Sequence, residues 1–273
     1  MCQICQALPV TKNKVIDTSI YDAFIGSVTR SLQQNFKTLL PTLKKGMRVL
    51  EIGCGNGSLA KDIAYRVGPE GHVVGIDNNA LRIAQGKEAF KDIANLELIH
   101  GDFLTYDNIE KFDIIISACT FQWISTLDKA IDKVKALLKP QGQISILDYN
   151  HEGISWTPKV PASMQNYYNM FLMWRKDGGM NNRIGFDLVE IFEEHGFSDI
   201  HVRNADEQYE STNAEHLKPI KLWSAVAASN QLVKEGYVSE SERQQAIEDY
   251  NHWVDTNAIR MTVKLREVTA VLN

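Results

Sequence analysis

Three glycines separated by single residues follow a short apolar run about a fifth of the way along the chain. The run Val49–Ile52 contains one acid, Glu51, and it is followed by Gly53, Gly55 and Gly57. Glycine has no Cβ, so at each of these positions the backbone can pass close to a ligand. A strand that ends in an acid and such a turn therefore predicts a nucleotide-binding site.

The polarity of this turn differs from that of a dinucleotide-binding turn. A helical pattern begins at Ser58, directly after the third glycine. In the dinucleotide fingerprint the spacing is G-x-G-x-x-G and the helix N-terminus faces a pyrophosphate. Here the spacing is G-x-G-x-G, and Glu51 would repel a pyrophosphate but could pair with an ammonium group, directly or through water. A ligand with an adenosine half, an amino-acid half and a sulfonium cation fits this polarity.

The turn resembles the first motif of class I S-adenosylmethionine-dependent methyltransferases, written E/D-x-G-x-G-x-G. Further segments match the motifs of that family in the same order and cover roughly residues 45 to 150: Val73–Asp77, Leu96–Phe103, Phe112–Ala118 and the LLKPQG turn at Leu137–Gly142. The resemblance implies S-adenosyl-L-methionine as cofactor and S-adenosyl-L-homocysteine as product.

The resemblance also implies roles for individual acids. Asp77 closes the second strand about 20 residues after the glycines, where an acid accepts hydrogen bonds from ribose hydroxyls. Asp102 would contact the adenine amino group and Phe103 would cover the ring. Asp77 could instead cap the following helix, and Asp102 is also an ordinary turn residue. We expect the cofactor contacts to come from Glu51, Gly53, Gly55, Gly57, Asp77, Asn78, Asp102, Phe103 and Ala118.

Strand and helix patterns alternate to about residue 150, which predicts an α/β fold with a parallel sheet and right-handed crossovers. The family implies a seven-stranded Rossmann-like sheet, of order 3-2-1-4-5-7-6 with strand 7 antiparallel, with helices on both faces and helical insertions. The chain of 273 residues is most simply one domain. Its expected parts are an N-terminal helical segment at 17–40, a cofactor-binding core at 45–150, a lid-like insertion at 151–184 and a helical insertion at 205–257.

The pattern changes after the fifth strand, which we expect near 142–148. Turn formers dominate Asn150–Pro161, and Ala162–Lys176 is rich in aromatic residues. In that second segment Tyr167, Phe171 and Trp174 share one helical face. This face could pack into a core, or it could form a lid over the substrate, since ligands of such sheets lie at the carboxyl ends of the strands.

The residues after the fourth strand bear on the methyl acceptor. They lack the N/D-P-P-Y/F turn of exocyclic-amine methyltransferases, and Cys119 lacks the Pro-Cys context of pyrimidine-carbon enzymes. The sequence Phe121-Gln122-Trp123 is similar to the Leu-Gln-Trp or Val-Gln-Trp of methyltransferases that esterify small carboxylic acids. Trp123 could equally pack beneath the cofactor.

Methyl transfer to a carbon already activated by sulfonium needs positioning and exclusion of water, and a general base is optional. His151 could act as that base, or it could be a hydrogen-bonded structural group, and Tyr149 is the second catalytic candidate. Arg175 could bind an anionic acceptor through its guanidinium. We expect substrate contacts from Tyr21, Phe121, Trp123, Tyr168 and Arg175.

Net charge, apolar stretches and cysteine content indicate which classes of protein this sequence does not resemble. The formal net charge is -5 and no basic stripe is present, which argues against nucleic-acid binding. No apolar stretch approaches the ~18 residues of a membrane helix and no signal-peptide pattern opens the chain, so we expect a cytoplasmic protein. Cys2 and Cys5 form a C-x-x-C without a second pair, so no metal is expected. A monomer and a homodimer are both open.

The sequence therefore predicts a methyltransferase that acts on O, N or C of a small-molecule acceptor, with a carboxylate among the candidates. A NAD(P)-dependent oxidoreductase is the alternative from another enzyme class, although the glycine spacing and the absence of a Tyr-x-x-x-Lys pattern argue against it. A non-catalytic S-adenosylmethionine-binding regulatory protein is a further alternative.

Overall fold

The computed structural model describes Ile16, Ile20 and residues 30–273. Tyr21, Cys2 and Cys5 lie outside the described residues, as does most of the predicted N-terminal helical segment. The first described helix, α1, is Leu32–Asn35, and it begins where the hydroxyl of Ser31 accepts a hydrogen bond from the backbone N–H of Gln34 at 3.3 Å.

Eight strands form one sheet: β1 Arg48–Ile52, β2 His72–Asp77, β3 Leu96–His100, β4 Phe112–Ala118, β5 Leu138–Thr157, β6 Phe197–Asn204, β7 Glu207–Glu210 and β8 Arg260–Leu272. The order is β3-β2-β1-β4-β5-β8-β6, and β7 pairs with β8. Strands β1 to β5 pair in parallel, and β6 and β8 are antiparallel. The predicted order is thus confirmed. The predicted seventh strand is β8, because the short β7 precedes it in the chain.

Helices cover both faces of the sheet. The remaining helices are α2 Ser58–Val67, α3 Ala80–Ala89, α4 Leu127–Leu137, α5 Ala162–Asp177, α6 Ile184–Glu194, α7 Leu217–Ile220, α8 Leu222–Ala227, α9 Gln231–Lys234 and α10 Glu240–Thr256. In β1, Val49 and Leu50 point to opposite faces and both are fully buried, so neither face meets water there. None of the helices in the described part of the chain is long and apolar enough to cross a membrane.

The described residues group into two compact units. The larger unit contains residues 30–155, together with Arg183–Gln208 and Thr262–Asn273, and it holds the cofactor-binding core expected from the sequence. The smaller unit contains Trp156–Asn182 and Tyr209–Met261.

The aromatic face of α5 packs into the core of the smaller unit. Tyr167, Phe171 and Trp174 are all buried, and Phe171 lies edge-on to Trp223 with ring centroids 5.4 Å apart. Helix α10 closes this core with Tyr250, whose hydroxyl donates to the carbonyl of Ile220 at 2.6 Å. The face therefore serves as core, and a lid function for residues 151–184 stays a prediction.

Strand β5 is longer than the sequence predicts, and the expected turn region from Asn150 onward is strand as far as Thr157. The physical reason is the neighbouring strand β8. The N–H of Ile259 donates to the carbonyl of Thr157 at 2.9 Å, and a Cβ added at Gly153 would lie 2.8 Å from Cγ of Lys264. Gly153 is therefore a packing residue within a paired strand, although a glycine in such a polar segment is typical of a turn.

A buried carboxylate ties the segment that precedes β1 to strand β8. Glu267 is fully buried, and its oxygens accept hydrogen bonds from the N–H groups of Thr38 at 3.1 Å and Leu39 at 3.0 Å. Arg203 in β6 completes the arrangement with an ion pair of 2.5 Å. The carboxylate of Glu267 can be buried away from water because several hydrogen-bond donors surround it.

We expect Glu267→Ala to lower the free energy of unfolding by about 3 kcal/mol, because two backbone donors and one guanidinium lose their acceptor. The matched control is Glu88→Ala. Glu88 pairs with Lys91 on the surface and its side chain is 78% exposed, so the change should stay within about 0.5 kcal/mol. Urea unfolding followed by circular dichroism measures both, and equal losses in the two variants would contradict this account.

Candidate active site

The parallel strands bring the sequence-predicted site residues to one edge of the sheet. In the register of the sheet Ile52 pairs with Ile76 and with Ser117, and Asp77 pairs with His100. The carboxyl ends of β1 to β4 therefore meet at the same level, which is where ligands of open α/β sheets bind. The glycine turn, Asp77 and the residues after β4 all follow these ends.

The three glycines of the turn have left-handed φ angles of 71°, 56° and 79°, which favour glycine. Packing adds a second reason at two of them. A Cβ at Gly53 would lie 2.0 Å from the hydroxyl oxygen of Thr120, and one at Gly57 would lie 2.7 Å from Cδ2 of Leu98. A Cβ at Gly55 would meet no atom within 4 Å. Gly55 thus presents its backbone to open space, where a ligand can approach.

Two glycines outside the motif let neighbouring elements close on the turn. A Cβ at Gly86 in α3 would lie 2.2 Å from the carbonyl oxygen of Asn56, and one at Gly75 in β2 would lie 2.9 Å from Sγ of Cys54. Sequence reasoning missed both residues. A glycine inside a helix or strand signals a close approach, but the sequence does not name the partner.

Asp77 braces the glycine turn against the start of α3. One carboxylate oxygen accepts from the N–H of Gly55 at 2.8 Å and the other accepts from the N–H of Asn79 at 2.8 Å. Asn79, and not Asp77, is the N-cap of α3, since its side chain accepts from the N–H of Arg82 at 3.1 Å. Each oxygen of Asp77 has a second lone pair, so the carboxylate can still accept from hydroxyl groups of a ligand.

Glu51 is the most unusual charge at this edge. The residue is 2% exposed, and its Oε2 has no hydrogen-bond partner among the described residues. Burial raises the pKa of the Glu51 carboxyl well above its usual value, and the nearby Asp77 raises it further, while a hydrogen bond from the backbone N–H of Ala60 opposes the shift. A buried carboxyl oxygen without a partner is costly, and a cationic ligand group would relieve that cost.

These features fit S-adenosylmethionine. Glu51 offers an acceptor without a partner to an ammonium group, Asp77 offers lone pairs to ribose hydroxyls, and Gly55 leaves space beside the backbone. The sequence motif and the geometry thus point to the same class of ligand.

The residues expected at the adenine and beside it occupy ordinary structural positions. Asp102 is exposed and caps the short 3-10 turn Phe103–Thr105, because its carboxylate accepts from the N–H of Leu104 at 2.9 Å. Phe103 is 7% exposed and packs into the core. Asn78 is exposed, and Ala118 is half-buried at the end of β4. Their contacts with the cofactor stay predictions.

A second group of polar residues comes from the segment after β4 and from the middle of β5. Asp148 is fully buried, and its carboxylate accepts from the N–H of Gln122 at 3.1 Å and from that of Tyr149 at 2.8 Å. The side chain of Gln122 donates to the carbonyl of Cys119 at 3.0 Å, and its Oε1 lies 2.6 Å from Nε2 of His151. The structure therefore brings the two catalytic candidates, Tyr149 and His151, to one edge, with ring centroids 5.3 Å apart.

Arg30 joins this group from the N-terminal side. Its guanidinium donates to the hydroxyl of Tyr149 at 2.9 Å and forms an ion pair with Glu207. Cys119 has a left-handed φ of 55°, and burial raises the pKa of its thiol to about 12. The thiol therefore stays protonated at neutral pH and is a poor nucleophile. No sequence signal could have revealed the pair of Arg30 and Glu207, which are 177 residues apart.

The residues expected to contact the acceptor fall in different places. Phe121 and Trp123 lie in a 3-10 turn, Phe121–Trp123, that follows β4. Phe121 is fully buried in the core of the larger unit, and Trp123 is half-buried. Tyr168 and Arg175 are buried residues of the smaller unit, where Arg175 donates to the side chain of Asn182 at 2.8 Å. Their contact with an acceptor stays a prediction, as does that of Tyr21, which lies outside the described residues.

We expect Gly55→Ala to fold with a loss of about 1 kcal/mol, the cost of a left-handed alanine, and to bind S-adenosylhomocysteine at least tenfold more weakly. The matched control is Gly46→Ala. Gly46 has a φ of 80° and also has no atom within 4 Å of its added Cβ, but it lies before the amino end of β1, at the opposite edge of the sheet. Thermal unfolding and calorimetric titration measure the two effects. Unchanged binding in Gly55→Ala, or an equal loss in both variants, would contradict a ligand at Gly55.

Comparisons with known proteins agree with this geometry. A family model described as a methyltransferase domain matches residues 43–206, which is more than half of the chain. The demethylmenaquinone methyltransferase of Listeria monocytogenes is 28% identical over 181 residues, which are 58% of this chain and 73% of that protein.

Two solved structures share the fold. Phosphoethanolamine N-methyltransferase 2 of Haemonchus contortus, in complex with phosphomonomethylethanolamine and S-adenosylhomocysteine, has a TM-score of 0.54 at 17% identity over 93% of this chain. This chain spans only 57% of that protein. The YjhP protein of E. coli has a TM-score of 0.55 at 18% identity, over 93% of this chain and 98% of its own. The chain therefore belongs to the methyltransferase-domain family, as an S-adenosylmethionine-dependent methyltransferase of class I.

Proposed function

We propose that the chain methylates a small-molecule acceptor that must lose a proton, and that His151 accepts this proton. One observation carries the proposal. The imidazole of His151 is fully buried in β5, beyond the last residue of that strand that pairs with β4, and Nε2 is held 2.6 Å from the side chain of Gln122. A histidine that is oriented in this way, away from water, suits a general base.

The other residues bind and orient the cofactor. When bound, S-adenosylmethionine supplies a methyl group that its sulfonium centre activates. Glu51 pairs with the ammonium group of the cofactor, and Asp77 accepts hydrogen bonds from its ribose. Asp102 and Phe103 contact the adenine. Because the cofactor already carries the activation, the protein contributes mainly position and a dry environment.

The names of the relatives support a small-molecule acceptor, since the Listeria monocytogenes protein is called a demethylmenaquinone methyltransferase. A general base at His151 restricts the chemical class of the methyl acceptor. A hydroxyl group or an acidic C–H must release a proton when it is methylated, whereas a carboxylate is already ionised at neutral pH. His151 therefore favours a protic acceptor over the carboxylate that the Phe121-Gln122-Trp123 sequence suggests. Tyr149, which Arg30 holds, lies beside the base and can orient the acceptor.

We expect His151→Gln to lower kcat for a protic acceptor by about 10²- to 10⁴-fold, the range of general-base catalysis, and to leave the Kd of S-adenosylhomocysteine unchanged. The assay follows transfer of the labelled methyl group of S-adenosylmethionine to naphthohydroquinones, phenols, primary amines and dicarboxylic acids. His252→Gln is the matched control, because His252 is exposed on α10.

Each outcome of this assay decides between the functions considered. Transfer to a hydroquinone or phenol that depends on His151 supports the proposal. Equal transfer to a dicarboxylic acid by the wild type and His151→Gln would instead establish an esterifying enzyme without a base. Tight binding of S-adenosylhomocysteine with no labelled product from any probe would favour a non-catalytic binding protein.

A further inference from the structure

The side-chain amide of Gln122 has different partners at its two ends. One end lies 3.0 Å from the carbonyl oxygen of Cys119, and the other lies 2.6 Å from Nε2 of His151. A backbone carbonyl can only accept a hydrogen bond, so the end that faces Cys119 must be the NH₂ group. The end that faces His151 is therefore Oε1.

The orientation of the amide determines where the imidazole carries its hydrogen. An amide oxygen can only accept, so Nε2 of His151 must donate to it. In the neutral imidazole only one nitrogen carries a hydrogen, and the other has the free lone pair. A neutral His151 in this arrangement has its hydrogen on Nε2 and its basic lone pair on Nδ1.

The backbone around Gln122 is held in place independently of the histidine. The buried carboxylate of Asp148 accepts from the N–H of Gln122 at 3.1 Å. The N–H of Cys119 donates to the carbonyl of Leu147 at 2.8 Å, and the left-handed φ of 55° at Cys119 sets the direction of its own carbonyl. Both anchors of the amide are thus main-chain or buried groups, and Gln122 itself is fully buried.

We infer that Gln122 is a positioning residue, which holds neutral His151 in the Nε2–H tautomer so that Nδ1 receives the proton of the methyl acceptor. This inference rests on the proposed function, since it assigns the atom through which His151 would act. The choice of an amide also matters. A carboxylate at this place would favour the protonated ring, whereas a neutral amide fixes the tautomer without adding a charge.

In the transfer step His151 gains one hydrogen and the acceptor gains one methyl group. The lone pair of Nδ1 forms a bond to the acceptor's hydrogen, and the bond between that hydrogen and the acceptor atom breaks. Its electron pair stays on the acceptor atom, which forms the new bond to the methyl carbon. The bond between the methyl carbon and sulfur breaks, and its electrons stay on sulfur. The positive charge thus moves from the sulfonium to the imidazolium, whose Nε2–H still donates to Oε1 of Gln122.

Nuclear magnetic resonance of the full-length protein labelled with ¹⁵N-histidine tests the inference without any acceptor. Long-range ¹H–¹⁵N correlations distinguish the two neutral tautomers, and His151→Gln assigns the His151 signals by their loss. Spectra are recorded above the midpoint of the ring's own titration. We expect the Nε2–H pattern in the wild type and its loss in Gln122→Met, which keeps the length of the side chain but removes the oxygen acceptor.

Two further variants distinguish loss of the oxygen acceptor at Gln122 from a general effect of the substitution on folding. Gln122→Glu keeps an oxygen acceptor for Nε2 but favours the protonated ring, so its spectra are recorded above the midpoint of that variant's own titration. There it should keep the Nε2–H pattern, even if Gln122→Met unfolds. Gln165→Met makes the same substitution at an exposed position of α5 and should leave the His151 signals unchanged. A Nδ1–H tautomer in the wild type, or the same Nε2–H pattern in a folded Gln122→Met, would overturn the inference. A confirmed tautomer together with no labelled product in the transfer assay would refute the proposed function alone.

Discussion

The buried carboxyl group of Glu51 is the constraint around which the site is organised. It lies at the end of β1, almost without exposure, and no described group reaches its Oε2. A buried carboxyl oxygen without a partner lowers the stability of the unbound protein. The N-terminal turn of α2 supplies the backbone N–H of Ala60 to the carboxyl, and in the glycine turn that follows β1 a Cβ added at Gly55 would meet no atom within 4 Å. The same burial that raises the pKa of Glu51 makes it a strong partner for a cationic ligand.

The cofactor half of the site could be predicted from the sequence, because its signals are local. Periodicity places β1 and α2, and the glycines between them are explained by φ angles and by packing against Thr120 and Leu98. Packing of other elements was less predictable. The length of β5 depends on a partner strand, β8, that lies more than 100 residues later, and a propensity-based assignment ends the strand at its first turn formers.

The part of the site that would bind the methyl acceptor depends on contacts between segments distant in the chain, and no sequence motif marks these contacts. Arg30 and Glu207 meet beside Tyr149, although neither belongs to a motif. In the sequence Gln122 is noted only as the residue between Phe121 and Trp123. Its hydrogen bonds to Cys119 and His151 depend on the pairing of β4 with β5 in the folded protein. The fold and the cofactor site are thus shared with the family, while the identity of the acceptor is encoded in side chains that the tertiary structure brings together.

Calorimetric titration of S-adenosylhomocysteine in two buffers of different ionisation enthalpy tests the central claim most directly. Because the unbound Glu51 carboxyl has a raised pKa, it holds a proton at a pH where an exposed carboxyl would not, and the ligand's ammonium group should expel that proton. The account predicts that the wild type releases protons on binding and that Glu51→Gln releases fewer and binds at least tenfold more weakly, about 1.4 kcal/mol. Equal proton release and equal affinity in the two proteins would show that Glu51 does not contact the ligand's ammonium group.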